Sequence, residues 1–413
     1  MRQQVSKFFE SHNLFPKHQH GFRPNRSTTT ALIALQNHLL SEKAQGKTTG
    51  MLLWDLSAAF DTLDHSILID KLQIYGFDEL SISWFRSYLS KRKQKVHVGN
   101  GESGEEELLW GSPQGAILSP LIFTIYIADV ESWIEFANVF GYADDTTTTI
   151  SDVNEDIVLE KLQLDSKNVL NFMSSNGLIA NPNKTGLQIF RSGYQPDGIV
   201  SLMIGDAQVT EAKEETLLGV TIQNNLKWHS HVSKLRSSLN QRVALLRRLK
   251  QWLPKEYLAQ VAQGLIFSKI RYGLPVYGKP RLEESDPLTS YCRTLQTTIN
   301  GVMRVISNKT LADKVPIRDL HASTGLPSLN QMVVQSTLME TWKLMRSEDS
   351  PFQKVVGRTR AATAGELIIP KGEKAGFLYN GAKIWNMASS EIKEATTTFT
   401  VKKLIKNFSS NFV

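Results

Sequence analysis

Residues 138–151 read NVFGYADDTTTTIS and set two like charges, Asp144 and Asp145, side by side between an apolar run and four threonines. The pattern is strand, tight turn, strand. Adjacent carboxylates at such a turn are either the polar tip of a surface hairpin or part of a metal site. The second reading constrains the fold far more, because it requires a third carboxylate brought to the same sheet edge from elsewhere in the chain. Asp55 is the candidate: it follows the apolar segment MLLW of residues 51–54, which reads as a buried strand. If the two strands are neighbours, three carboxylates meet there and repel one another unless cations bridge them. Mg²⁺ suits such a cluster, being hard, oxygen-seeking and commonly held by one or two carboxylates plus substrate phosphates. Two such ions about 3.5–4 Å apart stabilise both the attacking and the leaving oxygen of an in-line displacement.

At 413 residues the chain has room for two or three domains. Its one cysteine, Cys292, excludes a disulfide framework and a zinc module and fits a reducing compartment. No apolar run approaches the ~18–20 residues of a membrane span, and the charged, amphipathic N-terminus does not read as a signal peptide. The net charge of +7 is unevenly spread: residues 99–165 hold fourteen Asp/Glu against one Lys, whereas residues 227–279 hold eleven Lys/Arg against one acid, a local balance of +10. The acidic block suits cations and the basic block polyanions, unless both are simply solvated faces.

Along the chain, residues 1–47 read as helix with a Gly/Pro/Arg-rich interruption whose Ser27 or threonines cap the helix that follows. Helices are expected over 78–91, from near Gln114 onward through a long apolar run, and over 156–176. A hairpin is expected within 93–110. Short strands alternate beyond Gly186. From Trp228 apolar residues recur every three or four positions, and Lys234, Arg236, Arg242, Arg247 and Arg248 fall off that stripe, so a basic amphipathic helix is expected there. Residues 281–413 read as mostly helical.

WDLSAAFDTLDH, GSPQGAILSPLIF, FGYADD, GLIANPNKT and LLGVTI stand in the order and spacing of reverse transcriptase motifs A to E, with QHGFRPNRSTTTAL upstream. Together they resemble a non-LTR retrotransposon reverse transcriptase, of the jockey type or a relative, closely over residues 8–225 and more loosely to 280. The resemblance implies an α+β right-hand polymerase: partial fingers (1–47), a palm with an antiparallel sheet packed on helices (48–225), a helical basic thumb (226–280) and a mostly helical C-terminal region (281–413). It implies an RNA-directed DNA polymerase that extends a primer 3′-hydroxyl with dNTPs by two-metal nucleotidyl transfer. The alternative is an inactive or domesticated RNA-binding protein that kept the fold.

On that resemblance, Asp55 and Asp144 hold two Mg²⁺ ions, replaceable by Mn²⁺, with Asp145 in support and the Leu56 carbonyl as a further ligand. Phe60 resembles the steric gate that rejects a 2′-hydroxyl, or else packs in the core. Gln114 and Gly115 lie against the incoming base pair, or merely begin a helix. Arg23 and Arg26 grip the triphosphate, touch the template backbone, or cap a helix. Lys184 either protonates the leaving pyrophosphate or is a solvated surface lysine. Leu217, Leu218 and Gly219 resemble a primer grip, and the basic helix meets duplex phosphates without regard to sequence. The expected partners are an RNA template, a DNA primer and dNTPs, with no membrane, in a ribonucleoprotein that is cytoplasmic and nuclear. The chain begins almost at the family's second motif, which reads as an N-terminal truncation.

Overall fold

The strand that ends just before Asp55 is central to its sheet, and this explains its apolar run. The computed structural model describes the chain apart from residues 194–198, 348, 372–375 and 413. It divides into two units, one of residues 1–31 and 45–215, the other of 32–44 and 216–413.

In the first unit four antiparallel strands pair in the order β4-β1-β3-β2, where β1 is Thr48–Trp54, β2 Asn138–Tyr142, β3 Asp145–Asp152 and β4 Gly186–Phe190. With partners on both edges, β1 is buried almost throughout. Residues Thr146–Thr149 of β3 are buried too, against the polar look of their sequence. Threonine is β-branched and favours the extended backbone, and its hydroxyl can be satisfied inside: Thr148 Oγ1 accepts from Trp54 Nε1 at 3.0 Å.

The helices of this unit follow the apolar spacing. α1 is Arg2–Ser11, α2 Thr28–Ala44 (its last thirteen residues belong to the second unit), α3 His65–Ile74, α4 Glu79–Leu89, α5 Ser119–Tyr126 and α6 Glu155–Ser175. Asp78 and Asn154 cap α4 and α6, accepting from the N–H groups of Ser81 and Asp156. Ser27 Oγ accepts from the Thr30 N–H, as the capping expectation has it. α6 lies on β1 so closely that a Cβ on Gly50 would stand 2.3 Å from the Leu162 side chain. The helix expected from Gln114 begins only at Ser119, since Gly115 is held at φ +81 and Gln114–Gly115 form an exposed turn. α5 is buried almost all round, which its uninterrupted apolar sequence foretells.

The second unit is helical. α7, His229–Leu249, buries Val232, Leu235, Leu239, Val243 and Leu246. Later helices include Ser290–Ile306, Leu329–Leu344, Phe377–Met387 and Thr398–Ser409. Among the described residues no helix is long and apolar enough to cross a membrane. The unit boundary at 215/216 falls before the palm end expected at 225, and one unit takes in both the expected thumb and the C-terminal region.

Each unit buries a histidine whose protonation is disfavoured. His20 is lowered to about 3, by burial first and then by Arg26, His18 and Arg23. His231 is lowered to about 4, by burial and then Lys234. Both stay neutral in the fold while the unfolded chain takes up protons below about pH 6.5. Stability therefore falls as pH drops from about 6.5 toward 4. The expected loss is about 2 kcal/mol per histidine by pH 5, and urea titrations at pH 7 and 5 should show it shrink in His20→Gln.

Candidate active site

Register brings the carboxylates together. Trp54 stands opposite Thr146 across β1 and β3. Asp55, the next residue on one strand, and Asp145, the preceding residue on the other, therefore share one end of the sheet. β2 and β3 are joined through Ala143 and Asp144, with Tyr142 opposite Asp145, so the turn itself carries Asp144. The charges feel one another: the Asp145 carboxyl is raised, first by burial, then by Asp144, then by Asp55. Among the described residues no three Asp, Glu, His or Cys side chains enclose an ion unaided. A hard cation fits the donors nonetheless, because Mg²⁺ keeps waters and takes one or two carboxylates plus phosphate oxygens. Asp55 Oδ2 lies 3.7 Å from Nζ of Lys184, whose side chain is largely exposed.

Lys184 reaches that position through a second pairing. Leu56 and Ser57 form a short strand with Ile179 and Ala180, and the Asn181 N–H donates to the Asp55 carbonyl at 2.9 Å. The short 3₁₀ turn Pro182–Lys184 follows at once. On the other side, the loop after Asp55 is locked to the one before α5: the Ser112 N–H donates to Phe60 O at 2.9 Å and the Gly111 N–H to Leu63 O at 2.7 Å. Gln114 Nε2 donates to Asp61 Oδ1 at 2.8 Å. Phe60 is half-buried, its ring 4.7 Å from that of Phe123, so it is partly a core residue and partly open.

Arg23 requires a correction. Its guanidinium is buried and spent on Glu10, at 2.9 and 2.6 Å, and on the carbonyls of Pro16 and Gln19. An arginine so engaged has no fork to offer a triphosphate. Arg26 is more open, donating to the Lys17 carbonyl at 3.2 Å. The arrangement around Asp55 and Asp144 is a pair of carboxylates at one sheet end, Asp55 having the Lys184 ammonium nearby.

The family model for "Reverse transcriptase (RNA-dependent DNA polymerase)" matches residues 1–222. The chain belongs to the reverse transcriptase family. It is 25% identical over 252 residues to the probable RNA-directed DNA polymerase from transposon BS of Drosophila melanogaster, covering 57% of this chain and 27% of that protein. It is 23% identical over 348 residues to the one from transposon X-element of the same fly, covering 79% and 36%. The RNA-directed DNA polymerase from mobile element jockey, also of Drosophila melanogaster, is 23% identical over 279 residues, covering 64% and 30%. The chain thus spans about a quarter to a third of the length of these relatives. The matched residues take in the whole four-stranded antiparallel sheet and the helices packed on it, in keeping with a reverse transcriptase polymerase fold.

The remaining candidates of this reverse transcriptase lie in the second unit. Leu218 and Gly219 make a turn with φ +47 and +75, and the Tyr272 hydroxyl donates to the Leu218 carbonyl at 2.8 Å. A left-handed conformation at a leucine is strained, so the tyrosine's hold matters. Leu217 is buried and Gly219 exposed. On α7 the predicted stripe is inside, while Lys234, Arg236, Arg247 and Arg248 are exposed and Arg242 is half-buried. Missing from the sequence reading were Gln19 and Gly21, which touch the turn beside Asp144. Their only signal was membership of the upstream motif.

Proposed function

We propose that this chain is the polymerase core of an RNA-directed DNA polymerase from a non-LTR element, extending a primer 3′-hydroxyl on an RNA template. The observation that carries this reading is the convergence of Asp55, Asp144 and Asp145 at one sheet end, with the Asp145 carboxyl raised first by desolvation and then by Asp144 and Asp55. Bound divalent cations, held by Asp55, Asp144 and the Leu56 carbonyl with Asp145 in support, would lower the pKa of the primer hydroxyl and offset the triphosphate charge. The chain's own groups do the rest. Lys184, 3.7 Å from Asp55, would give a proton to the leaving pyrophosphate. Gln114, steadied by Asp61, and Gly115 present a flat, open turn to the incoming pair. Leu217 to Gly219 shape a rigid turn for the primer, and the exposed cations of α7 meet phosphates on any sequence.

The test is direct. The purified chain, given a DNA primer annealed to RNA, dNTPs and Mg²⁺, should extend the primer. RNA binding without extension would replace this reading with that of an RNA-binding relative of the fold.

Sugar choice gives a second measurement. If Phe60 bars the 2′-hydroxyl, Phe60→Val should lower the preference for dNTPs over NTPs by about 10- to 100-fold, on the scale of steric discrimination by a single pocket residue. An unchanged preference, with only a lower melting temperature, would make Phe60 a core residue and nothing more.

A further inference from the structure

The segment before α2 is built onto the turn that carries Asp144. The His20 N–H donates to Gly141 O at 2.8 Å and the Gly141 N–H to His18 O at 3.0 Å, so Gln19 bridges to β2 as a parallel partner of Gly141. From there Gln19 Oε1 accepts two N–H groups, from Gly21 at 2.7 Å and from Ala143 at 3.2 Å. Ala143 is held at φ +58, a conformation its Cβ disfavours, so the turn needs outside support. Gly21 presses on the same peptide: a Cβ there would stand 2.2 Å from Ala143 N and 2.9 Å from its Cα. Its φ is not positive, so what Gly21 supplies is room, not conformational freedom. Behind Gln19, Arg23 ties the Gln19 carbonyl, at 3.1 Å, to Glu10 and stacks over Phe15 at 4.9 Å.

Gln19 and Gly21 are both buried. We infer that they are positioning residues, which fix the Ala143–Asp144 peptide so that the carboxylates are preset before nucleotide and cation arrive. This rests on reading Asp144 as a metal-holding carboxylate. Preorganised groups act because they need no rearrangement at the moment of reaction, and a hydrogen bond to the residue just before Asp144 is a direct way to achieve that.

Gly21→Ala and Gln19→Ala, made in the full chain, test the inference by three readings. Amide hydrogen exchange at Ala143 and Asp144 should quicken by about tenfold, the scale of one lost hydrogen bond. Mn²⁺ titrated into the protein without nucleotide and followed by EPR should bind several-fold more weakly. On primed RNA, kcat should fall about 10- to 100-fold with little change in the KM for dNTP. Gln19→Glu keeps the accepting oxygen and should restore protection of the Ala143 amide. Unaltered exchange and Mn²⁺ binding in both alanine variants would overturn the inference. Should the unmutated chain extend no primer, the polymerase reading falls, while exchange at the turn still decides this one.

Discussion

Asp144→Asn is expected to abolish primer extension, lowering kcat by on the order of 10³-fold or more, while the metal-free protein melts no lower than the unmutated chain. The catalytic half follows from charge. A carboxylate that holds a cation against the reacting phosphate is felt mainly in the transition state, and loss of even one such preorganised group costs roughly 10²–10³-fold. The stability half follows from the raised carboxyl of Asp145, which burial, Asp144 and Asp55 push up in that order. A carboxyl whose folded pKa lies above its unfolded value binds its proton more tightly in the fold. The charged form therefore costs stability as pH rises through that interval. Replacing Asp144 by a neutral group removes one of the causes, so the cost at neutral pH shrinks. Thermal melts with and without Mg²⁺ give the complementary reading: the ion should raise the melting temperature of the unmutated chain and do so less for the variant. A variant that extends primers at the unmutated rate would remove Asp144 from the chemistry altogether.

That separation of activity from stability bears on what the sequence could disclose. The meeting of Asp55, Asp144 and Asp145 at one sheet end was legible because a carboxylate ending an apolar strand draws notice, and antiparallel pairing then brings the three together. The α7 stripe was legible because helical period survives any tertiary context. The contacts of Gln19 and Arg23 were not, since the Gln19–Ala143 contact joins residues 124 apart, and no local pattern reports on that. Arg23 looked like a phosphate ligand only while its partner Glu10 was unplaced. The threonines of β3 lie inside, because whether a β-branched polar residue is buried depends on the strands beside it.

In the acidic block several members are paired within the fold. Glu105 pairs with Lys93 at 3.3 Å, Glu102 pairs with Lys95, and Glu155 grips Arg191 at 2.7 and 2.6 Å.

Asp165, the last acid of that block, should show the reverse of the Asp144 result: removal costs the fold before it costs the chemistry. It is buried on α6 and receives the N–H groups of Glu135 at 3.0 Å, Phe136 at 2.9 Å and Ala137 at 2.7 Å, with Asn168 Nδ2 at 3.1 Å. These three consecutive amides end the loop that leads straight into β2, and β2 leads to Asp144. Asp165→Ala strands the amides without an acceptor, and an unsatisfied buried donor costs about 1–3 kcal/mol. Some relief comes from water entering the space left by the carboxylate, so the expected loss is about 3–5 kcal/mol. Asp165→Asn should recover part of it, because its remaining oxygen can still accept the Phe136 and Ala137 amides while the new Nδ2 faces the Glu135 N–H. Urea unfolding measures the loss directly, and whatever fraction stays folded should retain its primer extension per folded molecule. A loss below about 1 kcal/mol would mean that the loop before β2 finds other acceptors and that Asp165 does not anchor it.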